Sequence, residues 1–82
     1  MPKMQETLDA LHSEYRVLCS EYERRRSSSA TVHKYGAMKA YIGHELELAR
    51  VALAEGRFTD FTTSTQVVVG KLKELYGMCY GR

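Results

Sequence analysis

Apolar positions recur along the chain at steps of three and four, in three runs separated by two short polar breaks. The richest run spans about 32–54. There Tyr35, Met38, Ile42, Leu46, Ala49 and Leu53 fall on one side of a helix. A second set, Tyr41, Leu48 and Val51, with Ala37 and Ala52 beside it, falls elsewhere on the same helix. Leu46 and Leu48 are separated by about 200° of rotation, so the helix is apolar on two opposed sides. A surface helix needs one such stripe. A helix with two lies between two neighbours, either two segments of its own chain or one segment and a second molecule.

The first run predicts a helix over about 3–25. Met4, Leu8, Leu11, Tyr15, Leu18 and Tyr22 alternate steps of four and three, a heptad seam. Pro2 suits a first-turn position, where its missing N–H costs little. Acidic residues come early and Arg24, Arg25 and Arg26 come last, in keeping with the helix macrodipole. The seam fits a stripe packed on the central helix, and it also fits an intermolecular coiled coil.

The third run predicts a helix over about 60–80. Phe61, Thr65, Val68, Leu72, Leu75 and Cys79 repeat the same steps, and Val69 and Tyr76 widen the stripe. The stretch 62–69 is rich in threonine and valine, which favour strands. The helical reading prevails because the stripe continues in phase through Leu72 and Leu75.

The breaks carry turn chemistry. Ser27, Ser28 and Ser29 favour caps and turns over helix interiors. Ser29 or Thr31 is the expected N-cap of the central helix. Gly56 is the expected left-handed residue that ends it, and Thr59 or Asp60 the expected N-cap of the last helix. The expected fold is all-α. Three helices with short turns form a helical hairpin or three-helix bundle, and the pattern also admits association as a dimer.

Length and composition narrow the classes. With 82 residues the chain reads as a single helical domain over 1–82. A domain of this size buries only about 60% of its unfolded surface, and association is a common remedy. Apolar content of 44% and charged content of 27% exclude a wholly disordered chain. No apolar run is long enough to span a bilayer, so no membrane role is expected. The N-terminal stretch lacks the apolar core of a signal peptide. Cys19 and Cys79 form neither a CxxC pair nor a zinc spacing, and they read as reduced thiols of a cytoplasmic protein.

Catalytic and metal motifs fail on inspection. His44-Glu45 begins an HExxH pattern, but Leu48 stands where the second histidine belongs. Gly70-Lys71 resembles the end of a phosphate-binding loop, but Thr65 and Leu72 occupy the positions that need Gly and Ser or Thr. Glu45 and Glu47 point to different sides of their helix. The sequence therefore predicts no enzyme, no cofactor and no metal.

Two constellations point to binding instead. Tyr41, Leu48, Arg50 and Val51, with Tyr76 and Tyr80 near the C-terminus, are of types that concentrate at protein interfaces. Arg24, Arg25 and Arg26, with Lys34 across the serine turn, offer charge-assisted contacts to phosphates. The first predicts a non-enzymatic protein-interaction module, an adaptor, small chaperone or inhibitor, with a protein partner or a second copy of itself. The alternative is an electrostatic nucleic-acid binder.

Overall fold

All three runs are helices in the computed structural model, which describes residues 2–25 and 29–80, with side chains over 3–25 and 32–80. Helix α1 spans Pro2–Arg25, α2 spans Ser29–Ala54 and α3 spans Phe58–Tyr80. The described residues contain no strand. Pro2 opens α1, where its fixed φ is already helical.

The α2–α3 turn shows how few residues a sharp reversal needs. Gly56 has φ 75°, a left-handed conformation that side chains disfavour. Its N–H donates to the Leu53 carbonyl at 3.2 Å, and the Arg57 N–H donates to Ala52 at 2.8 Å. These two bonds are a Schellman closure, and they satisfy carbonyls that the helix end leaves open.

Helix α3 begins earlier than expected. The Phe61 N–H donates to the Arg57 carbonyl at 3.0 Å, so Thr59 and Asp60 lie inside the first turn and not at its cap. Asp60 accepts from Arg57 Nη1 at 2.6 Å instead. Ser29 and Thr31 likewise have helical backbone in α2, and residues 26–28 lie outside the described residues.

The threonine-rich start of α3 is helical because its hydroxyls are absorbed locally. Thr62 Oγ1 donates to the Phe58 carbonyl at 3.0 Å, and Thr65 Oγ1 to Thr62 at 3.0 Å. Back-bonding of this kind lets a threonine stay helical where its propensity is poor. Phe61, Thr65, Val68, Leu72, Leu75 and Cys79 are all buried, so tertiary packing overrides strand propensity.

The helices form a three-helix bundle measuring 42 × 19 × 16 Å. Leu18, Ile42, Leu46, Val68 and Leu75 are its most completely buried large side chains. Each contributes about 1.5–3 kcal/mol by leaving water. Ala49 and Ala52 are also buried, and small residues there let the helices approach closely. Ala52 thus joins the core and leaves the second set of α2. Val69 and Tyr76, expected to widen the core stripe of α3, are exposed instead, while Ser64 is buried. Among the described residues no buried side-chain nitrogen or oxygen lacks a hydrogen-bond partner.

Candidate protein-binding surface

The second apolar set of α2 stays largely at the surface. Tyr41 and Leu48, seven residues apart and therefore on one line of the helix, are each 42% exposed. Val51 continues the line half-buried. The line runs beside α3, because Lys71 Nζ lies 5.5 Å above the Tyr41 ring, a cation–π contact.

Above Tyr41 the α2–α3 seam opens into a groove of about 360 Å³, lined by Lys34, Ala37, Met38, Tyr41, Lys71 and Glu74. Its floor is apolar and its rims are charged. Lys71 Nζ lies 3.6 Å from Glu74 Oε2. Lys34, an exposed residue, has no ion-pair partner among the described residues.

Arg50 is placed differently. It pairs with Glu47 on its own helix, and Glu47 senses His12 of α1. The hydrogen bond from Arg50 holds the Glu47 carboxyl below its ordinary pKa. Arg50 therefore faces the α1 side, apart from Tyr41 and Leu48. Tyr76 and Tyr80 are apart as well. Their rings lie 4.7 Å from each other, and the Arg25 guanidinium sits 4.8 Å above the Tyr80 ring. They belong to the α1–α3 flank, where the Cys79 thiol donates to the Leu18 carbonyl at 3.4 Å. Val17, next in the chain to Leu18, is 57% exposed on α1. The expected partner-binding residues are thus divided among three flanks: Tyr41, Leu48 and Val51 together, Tyr76 and Tyr80 together, and Arg50 alone.

The expected phosphate-binding residues are also divided. Arg24 and Arg25 both pair with Glu21. The Arg25 hydrogen bond is the main reason the Glu21 carboxyl lies below its ordinary pKa. Lys34 lies in the α2–α3 groove, and Arg26 lies outside the described residues.

A charge pattern that the linear sequence hides emerges from the up-down-up topology. Tyr15 meets α2 through its bond to the Lys39 carbonyl, and Tyr41 meets α3 at Lys71. That level divides the bundle in two. Residues 15–25, 29–41 and 71–80 hold seven lysines and arginines against three acids. Residues 2–14 and 42–70 hold three against seven. The basic half contains the groove. Two of its three helix ends are C-termini, whose partial negative charge favours nearby cations such as Arg24 and Arg25.

The opposite side of α2 is closed by tyrosines. The Tyr22 and Tyr35 rings stack at 4.1 Å with 15° between planes. Tyr35 Oη donates to Glu23 Oε2 at 2.6 Å and lies 3.3 Å from the Cys19 carbonyl. Lys39 Nζ reaches the same carboxylate oxygen at 3.1 Å. Burial first, then the Glu23 hydrogen bond, pushes the Tyr35 hydroxyl pKa well above its ordinary value. Tyr15 donates to the Lys39 carbonyl at 2.9 Å, and burial raises its pKa too. Heptad spacing shows that these tyrosines face inward, but not that α2 supplies the carbonyl and the lysine they meet.

Cys19 and Cys79 are buried free thiols, and burial raises the Cys79 pKa, which disfavours its reactive thiolate. Among the described residues no group of three His, Cys, Asp or Glu side chains is placed to hold a metal ion. No described helix is long and apolar enough to cross a membrane. Compared with protein families, curated proteins and solved structures, the chain matches none.

Proposed function

We propose that the chain is a small non-enzymatic protein-interaction module that binds a partner protein along the line Tyr41, Leu48 and Val51 of α2. One observation carries this reading. Tyr41 and Leu48 are large, aligned and 42% exposed, whereas the core positions around them are closed. Large apolar side chains held at a surface in register are typical of interaction sites. Tyrosine suits such a site, since its ring gives contact area and its hydroxyl stays wet. Tyr76 and Tyr80 supply a second, smaller patch on the α1–α3 flank. The buried, free cysteines support a reducing, cytoplasmic setting.

A second reading, electrostatic binding of nucleic acid, is favoured by the seven-to-three charge excess of the basic half. It is weakened where the arginines are already engaged, Arg24 and Arg25 by Glu21 and Arg25 also by Tyr80.

Co-purification from the native source, with and without nuclease and at high salt, tests the two together. A stoichiometric protein companion that survives both treatments is the expected result. Recovery of nucleic acid alone, lost on nuclease or salt, would overturn the module reading.

A further inference from the structure

We infer that the α2–α3 groove in the basic half receives an acidic amphipathic helix of a partner protein. An apolar side chain of that helix enters between Lys34 and Lys71, and its carboxylates meet the two ammonium groups. This assignment rests on the module reading above and narrows it to one site and one partner chemistry.

Three observations choose this occupant. The floor of the groove, Ala37, Met38 and the Tyr41 ring, is apolar and suits a hydrocarbon side chain. Its space of about 360 Å³ admits one or two such side chains and not a domain. The rim carries Lys34 and Lys71, within a half of the bundle where cations outnumber acids seven to three. An acidic surface is therefore steered to this half and repelled from the other, where the ratio is reversed. A lysine stem covers apolar surface while its head stays charged, so both lysines serve the floor and the rim.

Nucleic acid fits this groove less well. The arginines best suited to bidentate phosphate contact lie outside it, tied to Glu21. A helix laid in an apolar groove, with anchors at every third or fourth residue, is a recurrent mode of peptide recognition. The straight line Ala37, Tyr41, Leu48 along α2 gives such a helix a track.

The test uses a fluorescent, end-capped peptide of about sixteen residues, with leucines at helical spacing and glutamates between them. A second peptide has lysine for every glutamate. The full chain is titrated with each, by anisotropy and by amide resonance shifts. Binding of the acidic peptide alone is expected, with the largest shifts at Ala37, Tyr41 and Lys71. The double variant K34E/K71E should weaken it by about tenfold or more and should take the lysine peptide instead. Ala37→Trp, which fills the groove and leaves the charge unchanged, should weaken the acidic peptide likewise. It also keeps the test decisive if the double variant loses its helicity.

Several results would overturn the assignment. They are equal binding of the two peptides, no binding of either, and shifts confined to Leu48–Val51 or to Val17, Tyr76 and Tyr80. Displacement of the peptide by a short oligonucleotide of equal charge would hand the groove to nucleic acid. A doubled light-scattering mass, abolished by K34E/K71E, would hand it to the acidic half of a second copy. A captured protein partner that Leu48→Asp releases and K34E/K71E does not would leave the module reading standing and remove the groove from it. Capture of nucleic acid alone would remove the module reading itself.

Discussion

The two sides of the central helix are built from different chemistry. Toward α3, α2 packs aliphatic side chains around the fully buried Ile42, Val68 and Leu75, and the Gly56 turn closes the hairpin. Toward α1 its own Tyr35 stacks on Tyr22, and hydroxyls reach a carboxylate and a carbonyl. The aliphatic side is non-directional, and burial sets its strength. The tyrosine side is directional, and its hydroxyls must find particular acceptors. The first supplies stability that depends little on pH. The second fixes the register of α1 and makes stability depend on the protonation of phenols.

The largest effect should come from breaking the aliphatic side. Leu75→Ala removes a fully buried side chain. It should cost about 2–5 kcal/mol, a large share of the about 5–15 kcal/mol typical of a whole domain. Urea unfolding would measure it. A loss below about 1 kcal/mol would show that the seam collapses to fill the gap.

Alkaline pH should act on the tyrosine side. Tyr15 and Tyr35 have folded-state pKa values above the ordinary 10.0. Above that value the unfolded chain has released phenolic protons that the folded chain retains. The contribution of these two phenols is therefore intact below about pH 10 and is lost as pH rises beyond it. Urea midpoints measured across that range should show the fall, and Tyr35→Phe should make it shallower. At neutral pH the same substitution should cost about 1.5–3 kcal/mol, the net value of a hydrogen bond to a charged group. An equally steep decline in Tyr35→Phe would place the pH dependence elsewhere.

Glycines sharpen the comparison at a smaller scale. A Cβ at Gly43 would stand 3.3 Å from the Tyr15 hydroxyl, while one at Gly36 would meet nothing within 4 Å. Gly36→Ala should therefore stabilise the protein by about 0.5–1 kcal/mol through helix propensity alone. Gly43→Ala should gain less, or lose, because the Tyr15 ring must shift from its bond to Lys39. In a Tyr15→Phe background Gly43→Ala should recover that gain, and a double-mutant cycle by thermal unfolding would read the coupling. Additive effects would remove Tyr15 as the reason for Gly43. The smallest effect should come from Lys39→Met. Its pair with Glu23 is half exposed, so the shift in thermal midpoint should be slight and shrink further in salt.

Much of this fold is legible in the chain. The steps of four and three through Phe61, Val68, Leu72 and Leu75 state the core of α3, and Gly56 states where α2 stops. Periodicity marks a stripe but not its width. Tyr76 and Val69 therefore read as core, although they lie just beyond the edge that a three-helix packing covers. Asp60 reads as a cap because capping is local chemistry, whereas Arg57 draws its carboxylate aside. Tyr41 and Leu48 read as an interface candidate from residue type, and the structure exposes them. Their separation from Arg50, Tyr76 and Tyr80 depends on which neighbour lies on which side, and helical spacing does not encode that. The charge division between the two ends is hidden for the same reason. It exists only once the chain has reversed twice and brought Lys34, Lys39 and Lys71 to one end.

The most direct test of the account is Leu48→Asp, measured in the same preparation for helicity, thermal midpoint and retention of the native partner. Leu48 is 42% exposed, so the variant should keep its helicity, with a loss of stability of about 1–2 kcal/mol, and the partner should be lost. Loss of helicity would make Leu48 part of the core. A folded variant that still holds its partner would contradict the claim that this line of α2 is where the protein binds.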